Sequence, residues 1–223
     1  MKPEILYEDQ EILVCLKPAK IAVQNRCAGT SDMVSILKNY LYTNQKHKKE
    51  PYLAIIHRLD QPVEGLLVFA KTKSAARTLS RQLTSMEFGK YYLALLEGAL
   101  PDEEGILTDY LIKDTKTNTS RICNKMLPGA KKAVLHYRLM PSQDGKHLYE
   151  IRLETGRHHQ IRVQMAGAGC PLVGDAKYNP TSHVPGQWTQ IALCAYRLEF
   201  FHPVTGKKIS FQITPSFLSD NEK

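Results

Sequence analysis

Three short clusters hold most of the chemistry this chain could perform. The first is His57-Arg58-Leu59-Asp60, followed by Gln61-Pro62-Val63-Glu64-Gly65 and a continuous apolar run to Ala70. A strand that ends in charged residues, then a Pro/Gly loop, then a buried strand, sets Asp60 on a loop held between two sheet elements. Such rigidly supported loops are where proteins present reactive groups. An ionised carboxylate in that position can attack, stabilise positive charge or take a proton. It serves equally well to cap the turn, with Arg58 paired at the surface. A kinase catalytic loop is excluded: its pattern is H-R-D without the intervening leucine, and neither D-F-G nor a glycine-rich loop is present.

The second cluster is Thr155-Gly156-Arg157-His158-His159-Gln160-Ile161-Arg162. With a helix beginning near His158, His159 and Arg162 lie one turn apart on one face. Consecutive histidines do not share a helix face, and no H-E-x-x-H or neighbouring cysteine or glutamate completes a ligand set, so they read as positioning a loop rather than holding a metal. Arg162 stands between Ile161 and Val163, which places it at the rim of a core. A guanidinium there requires a carboxylate, so an acid from elsewhere in the chain is predicted beside it. The third cluster is Lys90-Tyr91-Tyr92-Leu93-Ala94. In a strand the two tyrosines point to opposite faces, so one can be core and the other can offer its ring to a base, with core packing the plain reading for both.

The elements that must position these clusters are short. Strands are predicted at 4–8, 11–16 and 21–24, the second stopped by Lys17-Pro18. Ser31 can cap a helix from Asp32 to about Thr43 whose apolar residues fall at i, i+3, i+4, i+7 and i+8. A strand begins at Pro51 and runs into the His57 cluster. Residues 65–70 read as a strand buried on both faces. Thr72 or Ser74 can cap a helix over 75–87 that turns Ala75, Ala76, Leu79, Leu83 and Met86 inward. Further strands are expected at 91–96, 106–112, 119–123, 133–140 and 147–153, the last two flanking a turn at Gln143-Asp144-Gly145. The second cluster is a strand-to-helix transition, and 190–200 with 208–213 form a hairpin. Strands outnumber helices and often follow one another directly. That indicates an α+β fold on a mixed, largely antiparallel sheet with flanking helices and loops.

The chain has 223 residues with a formal charge of +8 and 43% hydrophobic residues, an ordinary globular composition. The basic excess draws polyanions, or simply keeps the protein in solution. No apolar run is long enough to span a membrane, and acids occupy the N-terminus where a signal peptide needs an apolar stretch. Five cysteines without C-x-x-C disfavour a disulfide framework and a zinc knuckle, and point to free buried thiols in a reducing cytoplasm. No repeat, linker or heptad stripe is visible, so a monomer is expected.

Taken together, HRLDQPVEGLLVFAK, EILYEDQEILVCLKPAKIAVQ, KYYLALLEG, LETGRHHQIRVQMAGAGCPLVGD and RLEFFHPVTGKKISF resemble, in order, the motifs of the RluA-type RNA pseudouridine synthases. The resemblance covers about residues 5–213. It implies a single pseudouridine-synthase-like catalytic domain over 1–223, with no separate S4 RNA-binding domain because the N-terminal motif starts near residue 5. Two departures stand out. Val63-Glu64-Gly65 replaces the Thr-Ser-Gly common after the aspartate, and His158 replaces the threonine of the common R-T-H-Q-I-R.

The resemblance further implies isomerisation of uridine in ribosomal or transfer RNA to pseudouridine, without metal, nucleotide or redox cofactor. Asp60 would act at the ribose. Arg162 corresponds to the arginine that pairs with that aspartate, and Tyr92 to the tyrosine that packs on the target base. Arg58 would hold the rearranged RNA after the base is flipped out, with His57, Arg157, His159 and Gln160 also at the substrate. The basic stretch 113–132 is a candidate for phosphate contacts. The competing reading is a non-catalytic RNA-binding or ribosome-assembly protein that retains the fold. A metal-dependent hydrolase built on His158 and His159 is the weakest alternative.

Overall fold

Alternating apolar residues and an acidic turn make the first hairpin. The strands β1 (Glu4–Glu8) and β2 (Ile12–Lys17) pair antiparallel around Asp9, whose carboxylate accepts the backbone N–H groups of Glu11 and Ile12 at 2.8 Å each. The computed structural model describes residues 1–25, 29–44, 49–141, 147–182 and 189–219. These fall into two compact units, Met1–Lys90 with Ala195–Lys223, and Tyr91–Cys194.

In the first unit, β2 pairs antiparallel with β4 (Glu64–Ala70), every residue of which is buried. The short β3 (Ala54–Ile55) also pairs with β4, and the Ala195–Phe201 part of β10 (Leu193–Phe201) forms a hairpin with β11 (Lys208–Gln212). Ile12 and Val14, Leu66 and Val68, and Leu198 and Phe200 fill one core with Ala75 and Leu79. Those last two come from helix α2 (Lys73–Thr84), and α1 (Met33–Asn44) buries Met33, Ile36, Leu37 and Leu41. The alternate residues Leu13, Cys15, Leu67 and Phe69 are fully buried as well, so both faces of β2 and β4 are covered, as the unbroken apolar run in β4 requires. A single helical turn, α4 (Ser216–Ser219), ends the described chain.

In the second unit the Tyr91–Leu96 part of β5 (Gly89–Leu96) pairs with β9 (His147–Leu153), β9 with β8 (Lys131–Leu139), β8 with β6 (Glu104–Asp114) and β6 with β7 (Thr119–Ile122), all antiparallel. Helix α3 (Gln160–Gly167) packs on β6 and β7, where Val163 meets Leu111 and Ala133. The fold is α+β, as the element pattern indicated.

Several local expectations are corrected. Residues 21–24 form no strand; Ala22 and Val23 instead accept the first N–H groups of α1. The strand expected from Pro51 is only Ala54–Ile55. Asp32, not Ser31, caps α1, its Oδ1 accepting Ser35 N–H at 2.7 Å. Thr72 caps α2 as expected, but the helix stops at Thr84, leaving Met86 exposed with φ +62° rather than in the core. The Gln143-Asp144-Gly145 turn lies outside the described residues.

Candidate active-site residues

The loop that carries Asp60 is pinned by its apolar neighbours. Leu59 and Val63 are buried on either side of it, while Arg58 and Gln61 point outward and Asp60 is half-buried. Val63 N–H donates to Asp60 C=O at 3.0 Å and closes the turn. Gln61 Nε2 donates to Lys20 C=O at 2.9 Å, and Arg58 Nη2 reaches Gln24 Oε1 at 3.3 Å. His57 is buried with its ring edge-on to Phe88 at 5.5 Å, and its Nε2 faces Val68 N–H at 3.4 Å. Burial, aided by the Lys90 charge, pushes His57 down to about 3, so the imidazole is neutral.

Two residues to which the sequence reading assigned no role in the site brace this loop. Lys17, read there only as part of a strand stop, is fully buried, and its Nζ donates to the carbonyls of Pro18 at 2.9 Å, Ile21 at 2.7 Å and Gln61 at 3.0 Å. Glu64 is buried and its two oxygens accept Ser216 N–H and Ser216 O–H, each at 2.8 Å. Next to it Gly65 has φ +136°, and a Cβ there would lie 2.5 Å from Ala195 N, so glycine is what lets β4 approach that strand. The signal for Lys17 was available: a lysine ending an otherwise apolar strand, directly before proline.

In the second unit the Thr155–Arg162 cluster is knotted by hydrogen bonds. Gln160 Oε1 accepts Thr155 O–H at 2.8 Å and Arg157 N–H at 2.9 Å, while its Nε2 donates to Val134 C=O at 3.1 Å. Arg157 is exposed, with Nε on Lys132 C=O at 2.8 Å. His159 precedes the helix in a left-handed conformation, φ +54°. That departure from helical geometry brings the His158 and His159 rings into a stack at 3.7 Å, which a continuous helix would forbid. His158 Nδ1 shares a hydrogen bond with Ser120 Oγ at 2.9 Å, and His159 Nδ1 with the Tyr178 hydroxyl at 2.7 Å. That hydroxyl also accepts Ser120 N–H at 2.7 Å. Burial first, then the charges of Lys113, Lys177 and Arg162, pushes His158 down to about 4; burial, then Arg162 and the remaining neighbours, takes His159 to about 2. Both rings are therefore neutral and hydrogen-bonded in a cationic setting.

One acid beside Arg162, as its apolar setting demanded, is Asp175. Arg162 Nε donates to Oδ2 at 2.8 Å and Nη2 to Oδ1 at 2.6 Å, with side-chain exposures of 4% and 0%. Asp175 also accepts the N–H groups of Lys177 at 3.0 Å and Tyr178 at 3.4 Å, and the guanidinium carbon lies 5.1 Å from the Tyr178 ring centroid. The only hint of this in sequence is Asp175 at the end of PLVGD. On β5 the two tyrosines part as strand geometry requires. Tyr92 is buried opposite Ile151, and Tyr91 sits opposite Arg152, lining an open groove of about 450 Å³ with Ile106 and His136.

The family described as RNA pseudouridylate synthase matches residues 11–167. A Bacillus subtilis protein named uncharacterized RNA pseudouridine synthase YhcT is 34% identical over 92% of this chain and 66% of its own length. The ribosomal large subunit pseudouridine synthase D of Vibrio cholerae is 35% identical over 93% and 65%. The chain thus spans just under two thirds of these relatives. Among solved structures, human RNA pseudouridylate synthase domain containing 4 superposes with a TM-score of 0.79 at 22% identity, covering 96% of this chain and 90% of that one. Its domain containing 1 counterpart gives 0.77 at 21%, covering 97% and 85%. At those identities the likeness is one of fold. Among the described residues, no helix is long and apolar enough to cross a membrane.

Proposed function

The chain belongs to the RNA pseudouridylate synthase family, and on that premise we propose that it is an isomerase that converts specific uridines of RNA to pseudouridine. The observation that carries this is the placement of Asp60, Tyr92 and Arg162, all intact, inside the matched residues 11–167, with Asp60 on a braced turn between buried anchors. In the reaction the N1–C1′ bond breaks, the uracil turns, C5 bonds to C1′, the C5 proton leaves and N1 gains one. Positive charge develops on the ribose as the glycosidic bond opens, and an ionised Asp60 is the group assigned to meet it. Tyr92 is assigned to the target base. Arg162 is assigned to the same reaction by its motif, and its two bonds to Asp175 fix its orientation.

Reaching a base inside structured RNA requires flipping it out, at a cost of a few kcal/mol. Arg58 and Arg157 are exposed and suited to hold the rearranged strand, while His57, His159 and Gln160 serve the substrate by fixing the loops that carry them. On the second unit Lys113, Lys116, Arg121, Lys125, Lys131, Lys132 and Lys177 are exposed, and we assign them to RNA phosphates, which give affinity rather than base identity. The name of the Vibrio relative makes large-subunit ribosomal RNA the first substrate to test, with transfer RNA second. A cytoplasmic monomer acting without cofactor is part of the same proposal.

The test is pseudouridine mapping of total RNA from cells with and without the gene, complemented by wild type or by Asp60→Ala. Sites that vanish on deletion and return only with wild type are expected. Restoration by Asp60→Ala removes Asp60 from its role. Identical maps in all strains favour the non-catalytic RNA-binding or ribosome-assembly reading.

A further inference from the structure

Burying an ammonium costs several kcal/mol, and an unbranched apolar side chain would fill the Lys17 site without that cost. The sequence nevertheless ends β2 with a lysine that solvent does not reach. Its three N–H donors are matched by three carbonyls, two on its own strand exit (Pro18, Ile21) and one on Gln61, the residue after Asp60. Gln61 returns the link through Nε2 to Lys20 C=O, so segments 17–21 and 60–63 are tied twice, in opposite directions. Among the described residues the ammonium donates to three backbone carbonyls rather than to a carboxylate, and the acids whose charge acts on it are Asp60 and Glu64.

We infer that Lys17 is a positioning residue of the Asp60 carboxylate: its hydrogen bond to Gln61 helps to fix the Asp60 turn, and its charge favours the ionised form of Asp60. This rests on the proposed role of Asp60. The lysine does two separable things, since its hydrogen bonds go to backbone while its field acts on the acids. Burial brings Lys17 down to about 8, against the pull of Asp60 and Glu64, so it carries its charge at neutral pH and loses it under mildly alkaline conditions.

The probe is 5-tritiated-uridine RNA from a strain lacking the gene, with tritium release followed against pH and RNA affinity measured in parallel. Lys17→Met keeps length and removes both charge and donors. It is expected to lower kcat by roughly 10- to 100-fold with KM nearly unchanged. The acid limb of the kcat profile should move up by about one pH unit, because Asp60 loses an opposing charge. Glu64→Gln leaves Lys17 facing one acid rather than two, so the alkaline limb should move to lower pH. A packing role alone moves neither limb. A folded Lys17→Met with wild-type kcat and an unmoved acid limb overturns the inference. Should that variant fail to fold, the Glu64→Gln profile decides, and an alkaline limb coincident with wild type overturns it. Asp60→Asn run alongside separates the two claims: if it stays active, the role of Asp60 falls first; if it is dead while both limbs stand still, only Lys17 is misassigned.

Discussion

Replacing Arg162 with alanine is the obvious test of its function, and the structure says that this test is confounded. The guanidinium closes on Asp175 through two bonds of 2.8 and 2.6 Å, at a site where neither side chain meets solvent appreciably. Truncation strands a buried carboxylate, which costs about 3–5 kcal/mol. For a chain of this size that lowers Tm by roughly 6–20 °C. The double variant Arg162→Met, Asp175→Leu removes both charges and refills the site with apolar side chains. It still deprives the Lys177 and Tyr178 N–H groups of their acceptor, at about 1 kcal/mol each, so a net loss of about 2 kcal/mol is expected. The double variant should therefore be more stable than Arg162→Ala. Urea unfolding followed by circular dichroism at pH 7, with a double-mutant cycle on the pair, measures this. An Arg162→Ala loss below about 1 kcal/mol, or a double variant no more stable than the single, would refute the account. Pseudouridine formation by the double variant then reads what Arg162 does for chemistry apart from what it does for the fold.

The histidines make stability pH-dependent. His57, His158 and His159 are all held below their ordinary value in the folded state, so the unfolded chain binds the extra protons. Stability is full above about pH 6.5 and falls as pH drops toward 4. Urea midpoints at pH 7.5 and 5 should show this, and His158→Gln should flatten the difference; equal midpoints for wild type would contradict the assignment. Gly174 has φ +75°, and a Cβ there would lie 2.0 Å from Gln190 C=O, whereas Gly206 has φ +66° and open space around it. Gly174→Ala should cost more than about 2 kcal/mol and Gly206→Ala about 1 kcal/mol, by thermal melts; equal losses would show that the backbone contact is relieved elsewhere.

Much of the architecture was legible because the signals were long. The seven buried residues of β4 and the spaced apolar residues of α2 each repeat one instruction several times. Short elements carry no such redundancy. The expected strand at 21–24 lost its backbone groups to the start of α1, and the strand from Pro51 shrank to the two residues that find a partner in β4. The His158–His159 stack was unreadable for a related reason. It depends on one left-handed residue, and nothing in a histidine's identity announces that conformation.

The Asp60 and Arg162 neighbourhoods were legible as types and not as partnerships. That Arg162 needs a carboxylate follows from its apolar neighbours; that Asp175 is one such carboxylate follows only from the fold. The two departures from the family pattern teach the same point more sharply. Glu64, a buried acid, takes both a backbone and a hydroxyl donor from Ser216, 152 residues away. His158 is matched by Ser120, 38 residues upstream on β7. Each unusual residue is thus one half of a pair whose other half is an unremarkable serine. Read singly, Glu64 and His158 look like erosion of an active-site motif and lend weight to a non-catalytic protein. Read with their partners, they are substitutions that the surrounding structure has accommodated by hydrogen bonding, and the loops beside Asp60 and Arg162 remain braced. Their accommodation by the fold means that the departures by themselves are no evidence for the non-catalytic reading.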